Sequence, residues 1–480
     1  MAKEYSMNEK NESICLTEEE ISPLQGEIKL AHDEKERSFS LIRIWLPYLI
    51  SIISSNISNF VCSKIISSNF SLSYYDAVMI SLSLIYSFGN LPCLNLLTTQ
   101  ESLISQALGR KENKECIRIF CINLIFVFLF SLIIAFLFVN GKSFLYLFVE
   151  GEDLILLVHR YLLYSIPLIL IANLNYSIFS FLTSMHILFI PMILSITVFI
   201  FNPVLCYLLV VFFQTGYLGV VFSSLIIESI QFFIFGWIFL FSDSLKEIRV
   251  RFNLFVKSSW ISFLKLGIPA MIISSLENMS YSILLLSMGR LSEEFIAANF
   301  MLNNLYSLVY MIPISIGVSV STMVGRSLGE GKPKMAISYM ISGIVQGEFF
   351  SALFLISIWN YKVQIANFVI NDSNTIMVFY EGLPYMIMYS LIDPFRTIFQ
   401  VSLNGMGMQL YSSITGVFTN GILQFTLGYM IIFAFNYFIK GFWITNSISS
   451  FICSLILLIV LLRSNFKELS SKICQRRNLD

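Results

Sequence analysis

The sequence predicts an all-α polytopic membrane protein with twelve transmembrane helices in two pseudo-symmetric six-helix lobes. Of its 480 residues, 56% are hydrophobic and only 12% are charged, whereas soluble domains carry roughly 25% charged residues. The apolar residues form continuous runs, and a spanning helix needs about 20 of them. They do not alternate as they would in a transmembrane barrel. This composition excludes soluble, secreted and disordered classes, and the net charge of +0 gives no general attraction to nucleic acid.

The chain divides into two apolar halves and three polar segments. Residues 1–40 are rich in charge and contain no apolar signal-peptide core, so they predict a disordered cytoplasmic tail. The N-terminal lobe then covers 41–241, a cytoplasmic linker 242–260, the C-terminal lobe 261–463 and a basic cytoplasmic tail 464–480. The predicted spans are 41–63, 74–98, 117–139, 154–178, 188–211, 217–241, 261–288, 295–324, 336–358, 376–402, 411–436 and 440–462.

Lysine and arginine are concentrated in alternate loops. With twelve spans, the basic segments 110–118, 246–257, 326–334 and 463–477 all fall on one side, and the loops of the other side hold few basic residues. Basic loops face the cytoplasm, so both termini are expected to be cytoplasmic, in a plasma or an organellar membrane. We expect a lipid-embedded monomer with no nucleic-acid partner.

A short motif recurs at the same place in each half. Ser105-Gln-Ala-Leu-Gly109 follows the second span, and Gly325-Arg-Ser-Leu-Gly329 follows the eighth. Two duplicated six-span halves are a common transporter plan, with the substrate path between them. The chain contains no phosphate-binding P-loop, so an ion gradient would drive transport. We expect no enzymatic activity and no cofactor, only a coupling ion, H⁺ or Na⁺. The eight scattered cysteines predict neither a disulfide framework nor a metal site.

Ionisable residues inside spans are costly in lipid and are therefore functional candidates. Glu277 lies in the middle of the seventh span, where desolvation favours its protonated form and allows it to exchange a proton for a cation. The alternative is a structural carboxyl bonded to neighbouring polar groups. Glu101 and Asp76, near the two ends of the second span, are candidates for secondary acidic sites. Further charged residues in the spans are Arg160, Glu228, Glu348 and Arg396.

The tenth span contains a second candidate carboxylate. Asp393 precedes Pro394, and a proline removes a backbone donor and loosens the helix around an internal cavity. Arg396, three residues later, is the alternative partner that would simply neutralise Asp393. The remaining residues expected to bind substrate or protons in the same cavity are Asn304, Tyr281 and Ser282.

Five segments in the same order resemble the multidrug and toxic compound extrusion (MATE) transporters, particularly the eukaryotic type. They are Glu101-Ser-Leu-Ile-Ser-Gln106-Ala-Leu-Gly109, Leu266-Gly-Ile-Pro269 with Glu277, Met311-Ile-Pro313 with Val324-Gly325-Arg326-Ser-Leu-Gly329, Asp393 with Asn404-Gly405-Met-Gly407-Met-Gln409, and Gly441-Phe-Trp443. The resemblance implies two six-helix lobes that export organic cations or xenobiotics by antiport with protons or sodium. It places the cation and proton site on Glu277, with Asp393 and Asn304 lining the C-terminal cavity.

The chain also departs from the family pattern. A second carboxylate often found five residues after the first in the seventh span is Ser282 here, and the eighth-span Arg and Asn positions hold Met323 and Arg326. The first span has no Asp, so the N-terminal carboxylate site of some prokaryotic members is absent.

Three alternatives to export stay open. The first is a flippase for lipid-linked or amphipathic substrates, the second is a non-transporting membrane scaffold, and the third is uptake by an unrelated facilitator fold.

Overall fold

The computed structural model describes the backbone over 18–146, 152–241, 256–287, 293–369 and 373–475. Side chains are described from Phe39 onward within these ranges, except at positions 72, 143–144, 240, 277, 279–287, 293, 296 and 368–369. The predicted linker 242–260 falls mostly outside the described residues.

Twelve helices in the described ranges are long and apolar enough to cross a membrane, which confirms the predicted number. In chain order they are α1 (Glu18–Asn69), α2 (Ser73–Gly109), α3 (Asn113–Val139), α4 (Glu152–Ser184), α5 (Phe189–Phe212), α6 (Gly216–Phe239), α7 (Lys257–Ser287), α8 (Glu293–Gly329), α9 (Pro333–Asn360), α10 (Ser373–Gly405), α11 (Gln409–Ala434) and α12 (Phe438–Arg463). A helix α13 (Phe466–Gln475) follows α12.

Helices are present near both ends of the described chain. The helical backbone of α1 begins at Glu18, whereas the sequence predicts a disordered tail to residue 40. Glu, Lys, Leu and Arg make up about half of this segment and are good helix formers, whereas Pro23 and Gly26 near its start are not. At the other end, α13 packs against the end of α8, where the Ser470 hydroxyl donates to the Leu328 carbonyl at 2.8 Å.

Several spans are interrupted rather than straight. A π-helical turn at Ile85–Asn90 lies inside α2, and another at Val417–Leu423 lies inside α11. Pro313 lies inside α8, and Pro384 and Pro394 lie inside α10. Each interruption frees backbone groups, which membrane helices tolerate only where protein or a cavity satisfies them.

The helix packing has the symmetry that the repeated motif predicts. The sets α2, α4, α6 and α8, α10, α12 each pack in series. Helix α1 packs on α5 of its own half and also on α8 and α9 of the other half. Helix α7, its counterpart, packs on α11 of its own half and on α2 and α3 of the first. The first helix of each half therefore touches both lobes.

The two lobes meet at the ends of α2 and α8, where the repeated motif lies. A Cβ on Gly109 would be 2.3 Å from the Arg326 carbonyl oxygen, and a Cβ on Gly329 would be 2.3 Å from the Gln106 carbonyl oxygen. Only glycine permits such a close backbone approach. The repeat is thus an inter-lobe contact, at the end of the molecule that is predicted to be cytoplasmic. We call this contact the glycine crossing.

One side-chain bond ties the glycine crossing to α10. Gln106 Nε2 donates to the Gly405 carbonyl oxygen at 3.0 Å. Gly405 itself lies against α8, since a Cβ there would be 2.4 Å from the Ser321 carbonyl oxygen. The ends of α2, α8 and α10 therefore form one closely packed unit.

His186 lies next to this unit, in the loop that joins α4 to α5. Both of its ring nitrogens are buried and find no hydrogen-bond partner among the described residues. Burial, together with the positive charge of Arg326, lowers the pKa of His186 from 6.5 to about 4, against a raising effect of Glu330. The residue has a positive φ of 60°, a conformation that asparagine tolerates among non-glycine residues.

The carboxylate of Glu330, which acts on His186, has a pKa below its ordinary value. Burial raises the pKa of Glu330, but its bonds to Lys332 (2.9 Å) and Arg326 (3.0 Å) prevail and hold the pKa below the ordinary 4.5. Glu330 therefore contributes its full stabilisation above pH 4.5, the pKa of the unfolded carboxyl. That contribution is lost as the pH falls through the lower pKa that Glu330 has in the folded protein.

We predict that acidification from pH 7.5 to 5.0 destabilises the protein through His186. The unfolded imidazole binds its proton near pH 6.5 and the folded one near pH 4, so stability from this group is complete above 6.5 and falls as the pH drops towards 4. The apparent melting temperature in detergent should fall less in His186→Asn than in the unmodified protein. Equal losses in the two proteins would contradict the prediction.

Candidate functional site

A buried polar site lies in the C-terminal lobe, around Asp393 on α10. This side chain is 1% exposed. Arg396, three residues along the same helix, donates its Nε to Asp393 Oδ1 at 2.6 Å, and the Tyr306 hydroxyl of α8 donates to Oδ2 at 3.0 Å. The Ser450 hydroxyl of α12 donates to Oδ1 at 3.2 Å. Three helices thus hold one buried carboxylate, which is the arrangement a charge in the membrane requires.

Arg396 is buried together with its partner and is also bonded on its other side. Its Nη1 donates to Gln400 Oε1 at 3.1 Å, one helical turn further along α10. The i to i+3 spacing places Asp393 and Arg396 on neighbouring faces of one helix. The structure therefore forms the neutralising pair that the sequence left as an alternative for Asp393.

An aromatic cluster borders the ion pair. The ring centroids of Tyr306 and Tyr389 are 4.8 Å apart, and their hydroxyls are 3.2 Å apart. Trp443 of α12 lies 6.0 Å from Tyr306 and 5.9 Å from Tyr389, and it is fully buried. Rings in these tilted and edge-on arrangements pack favourably, so the cluster holds the Tyr306 hydroxyl in place beside Asp393.

Two other candidates from the sequence have different surroundings. Asn304 is exposed. It precedes Tyr306 by two positions, and two residues of an α-helix point about 200° apart, so Asn304 and Tyr306 lie on different faces of α8. Glu348 of α9 follows Gly347, which packs against Ile398 and Pro394 of α10. The buried Oε1 of Glu348 has no hydrogen-bond partner among the described residues.

The predicted cation site on α7 lies beyond what the structure describes in side-chain detail. The helical backbone continues through Glu277, Tyr281 and Ser282 to Ser287. The side chains of these three residues lie outside the described residues. Their role stays a prediction.

The N-terminal lobe holds a second buried polar network around α2, α3 and α4. Gln100 Nε2 donates to the Ser177 carbonyl at 3.0 Å, and Asn123 Nδ2 donates to Gln100 Oε1 at 2.6 Å. Glu101 is 8% exposed and accepts a bond from the Ser180 hydroxyl at 3.0 Å. The predicted secondary acidic residue Glu101 is therefore inside the lobe rather than at a solvated membrane edge.

The other predicted secondary acidic residue, Asp76, is placed apart from this network. It lies in the first turn of α2 and is half-buried. At a rise of 1.5 Å per residue, it is about 37 Å from Glu101 along the helix. The structure therefore does not bring the two secondary acidic residues into one site.

Several residues of these two sites were not predicted from the sequence. Tyr306 and Tyr389 resemble many other aromatic residues in apolar spans, and Ser450 is 57 positions from its partner Asp393. Tyr306 and Tyr310 do share one helix face at an i to i+4 spacing, with ring centroids 5.6 Å apart. That spacing before Pro313 is a signal in the sequence that could have indicated Tyr306, whereas no such spacing indicates Tyr389 or Ser450.

Comparison with known proteins assigns this architecture. The model of the MatE family matches residues 44–208 and 269–430, one block in each lobe. The chain belongs to the MatE family. This membership confirms the resemblance seen in the motifs, and the chain is an integral multi-pass MATE transporter rather than an enzyme.

Curated relatives come from animals, plants and bacteria. Multidrug and toxin extrusion protein 1 of Xenopus tropicalis is 22% identical over 97% of this chain and 83% of its own length. Protein DETOXIFICATION 8 of Arabidopsis thaliana is 24% identical over 84% of this chain and 83% of its own length. The probable multidrug resistance protein NorM of Bacillus cereus is 29% identical, but the match spans only 42% of this chain and 45% of that protein.

Solved structures show the same fold. The crystal structure of the eukaryotic MATE transporter AtDTX14 superposes with a TM-score of 0.85 at 18% identity, over 92% of this chain and 99% of that one. A mutant form of the Vibrio cholerae MATE transporter VcmN has a TM-score of 0.83 at 14% identity, over 90% of this chain and 99% of that one. At these identities the likeness establishes the fold alone.

The ion pair makes a testable prediction about stability. Arg396→Met should destabilise the protein by about 3–5 kcal/mol, because it leaves a buried carboxylate without its counter-charge. The double variant Asp393→Asn with Arg396→Met should recover most of that loss, since it removes both charges. Thermal unfolding of detergent-purified protein measures both. A double variant no more stable than Arg396→Met would contradict the ion-pair geometry.

Proposed function

We propose that this chain is a secondary active antiporter that exports organic cations in exchange for protons or sodium by alternating access. The family assignment supports export, and one of the relatives, from Xenopus tropicalis, is named a multidrug and toxin extrusion protein. No P-loop occurs in the sequence, so an ion gradient is the driving force that we assign.

The glycine crossing is the structural observation that supports this proposal. Two pseudo-symmetric lobes that touch closely at Gly109 and Gly329 can separate there and close elsewhere without unfolding either lobe. The contact is mostly between backbones, and the bond from Gln106 to the Gly405 carbonyl is a side-chain bond that separation at this end would break. Alternating access in transporters with internal repeats is largely such a rocking of one bundle against the other.

Glu277 is the residue to which we assign cation and proton exchange. The helix that contains it, α7, packs on α11 of one lobe and on α2 and α3 of the other. Protonation of Glu277 on the outside would neutralise the charge that holds a cationic substrate and release it. Deprotonation on the inside would prepare the next cycle. Tyr281 and Ser282, on the same helix, and Asn304 on α8 are the assigned accessory residues.

Asp393 takes a supporting part in this proposal. Its charge is shared with Arg396, Tyr306 and Ser450, so a cation competing for it must displace a tethered guanidinium. We therefore assign the principal exchange to Glu277 and give Asp393 the role of setting the charge of the C-terminal cavity. Because Arg396 is paired, it does not provide the excess positive charge that an anionic lipid-linked substrate of a flippase would need.

Glu277→Gln should slow gradient-driven transport by at least about tenfold, since an amide cannot exchange a proton in the membrane. Proteoliposomes with an imposed proton or sodium gradient and a panel of fluorescent organic cations measure the rate. The matched control is Glu381→Gln, because Glu381 is half exposed in a pair with Lys440 at 3.2 Å and should leave transport unchanged.

Exchange at the normal rate by Glu277→Gln would overturn the assignment of the site. Absence of exchange by the unmodified protein under both gradients would overturn antiport itself. The scaffold alternative is tested in the same assay with a chain lacking residues 1–38, which should retain transport if the lobes suffice.

A further inference from the structure

The loop that joins α4 to α5 lies across the boundary between the two lobes. Met185 and Ile187 pack against the buried core of the N-terminal lobe, which is formed mainly by α2, α3 and α4. Leu188 packs instead against the buried core of the C-terminal lobe, which is formed mainly by α8, α9, α10 and α12 with the start of α1. The loop 185–188 therefore contacts both lobes.

His186, in this loop, occupies a turn that the C-terminal lobe builds with a glycine. The equivalent loop, between α10 and α11, contains Gly407 at a φ of 77°, and His186 has a φ of 60°. In both loops the amide of this residue donates to the carbonyl three positions earlier at 2.9 Å. The amide of the next residue donates five positions back, at 2.8 Å after His186 and 2.9 Å after Gly407. Glycine makes such a turn without strain, so the turn itself does not require an imidazole.

The internal repeat also indicates which residue His186 faces. A Cβ on Gly407 would lie 3.2 Å from Gln106 Nε2, at the end of α2. The repeated motif relates Gln106 to Arg326, because each lies three positions before the final glycine of its copy. The equivalent contact in the other lobe therefore joins His186 to Arg326 of α8. The electrostatic effect of Arg326 on the imidazole agrees with this placement.

The imidazole ring is enclosed at this boundary. Both ring nitrogens are buried and find no hydrogen-bond partner among the described residues, and leaving buried polar atoms unpaired is costly. No residue from 181 to 191 is charged apart from what His186 itself can carry. Arg326 opposes a positive charge on the ring, and Glu330, which is bonded to Arg326 at 3.0 Å and to Lys332 at 2.9 Å, favours one.

Other charged side chains lie at the same end of the described helices. Three ion pairs are found there, Arg110 with Glu112, Arg118 with Glu115, and Lys472 with Glu468. Further basic residues at this end are Arg43, Lys111, Lys114, Lys257, Lys265, Lys334, Arg463 and Lys467. Basic residues outnumber acidic ones in this set, so a proton added at the boundary meets like charge from both lobes.

We propose that His186 is an acid-sensitive latch between the lobes. While the imidazole is neutral, the loop 185–188 stays seated between the two cores and the glycine crossing stays closed. A proton on the ring, which faces Arg326, draws the ring into water and unseats Leu188 from the C-terminal core. The lobes then separate at this end, which the basic loops predict to be cytoplasmic. The latch rests on the proposed rocking of the lobes and adds a control by pH that is separate from exchange at Glu277.

The direction and size of the effect follow from linkage. The imidazole of His186 has a pKa of about 4 in the closed structure and would regain its ordinary value of 6.5 in water. Protons therefore bind the open form more tightly, so acid favours opening and its effect fades above pH 6.5. Between pH 7.5 and 5.5 these two pKa values raise the ratio of open to closed protein by about tenfold.

The distance between the lobes tests the latch without transport. Spin labels at Lys114, beyond α2, and at Lys467, on α13, are both exposed and would report this distance by pulsed electron resonance in a cysteine-free background. The ratio of the longer to the shorter distance should rise about tenfold between pH 7.5 and 5.5. His186→Asn and His186→Gly keep the turn but do not titrate, so they should show no rise.

The matched control is His159→Asn, which makes the same chemical change near the opposite end of α4. His159 Nε2 lies 3.4 Å from the Val139 carbonyl oxygen, and its replacement should leave the pH response intact. A response lost in this control as well would overturn the specific role of His186.

The remaining outcomes separate the latch from the proposed rocking. A rise of the same size in both His186 variants would overturn the latch. A distance that ignores pH in the unmodified protein, but lengthens in Gly329→Val, would overturn the latch and leave the rocking in place. A single distance that neither pH nor Gly329→Val alters would overturn both.

Discussion

The close approach of α2 and α8 is the constraint on which the rest of this structure depends. A Cβ added at Gly109 would lie 2.3 Å from a carbonyl oxygen of α8, and a Cβ added at Gly329 would lie 2.3 Å from a carbonyl oxygen of α2. That contact sets how the lobes face each other, and α1, α7 and α10 are arranged around it. A contact made of backbone surfaces packs tightly through small residues, as membrane helices require in the absence of a hydrophobic driving force. It contains few side-chain bonds that separation of the lobes would have to break.

The two lobes share an architecture but differ in their buried charge. The C-terminal lobe encloses a matched pair, Asp393 with Arg396, that is tied to two other helices. The described part of the N-terminal lobe encloses Glu101 and Glu228 with neutral partners only. The duplicated fold thus encloses its buried carboxylates in two ways, with an ion pair in one lobe and with neutral hydrogen-bond donors in the described part of the other.

The overall plan is predictable because it follows from the physics of the bilayer. Twelve apolar runs give twelve spans, and the motif ending in Gly109 and Gly329 indicates the duplication before any contact is known. The pairing of Asp393 with Arg396 can be predicted as one of two roles for Asp393, because residues at an i to i+3 spacing lie close together on any helix. In contrast, the Tyr306 and Ser450 contacts join different helices, and their geometry depends on packing that no short spacing records.

Two features of the structure could not be read from sequence patterns. Asn304 and Tyr306 both lie on α8, and only the rotation along that helix shows that Tyr306 is the one that bonds to Asp393. The composition before residue 40 does not indicate that the helical backbone of α1 begins at Glu18.

The distance between the lobe ends measures the central claim, that the lobes move about the glycine crossing. Spin labels at Lys114 and Lys334, both exposed beyond the ends of α2 and α8, would report it by pulsed electron resonance in a cysteine-free background. We expect a second, longer distance when substrate or pH is changed, and a shift to that distance in Gly329→Val. Gly236→Val, whose Cβ would meet nothing within 4 Å, should behave like the unmodified protein. One distance, unaltered by conditions and by Gly329→Val, would contradict the account.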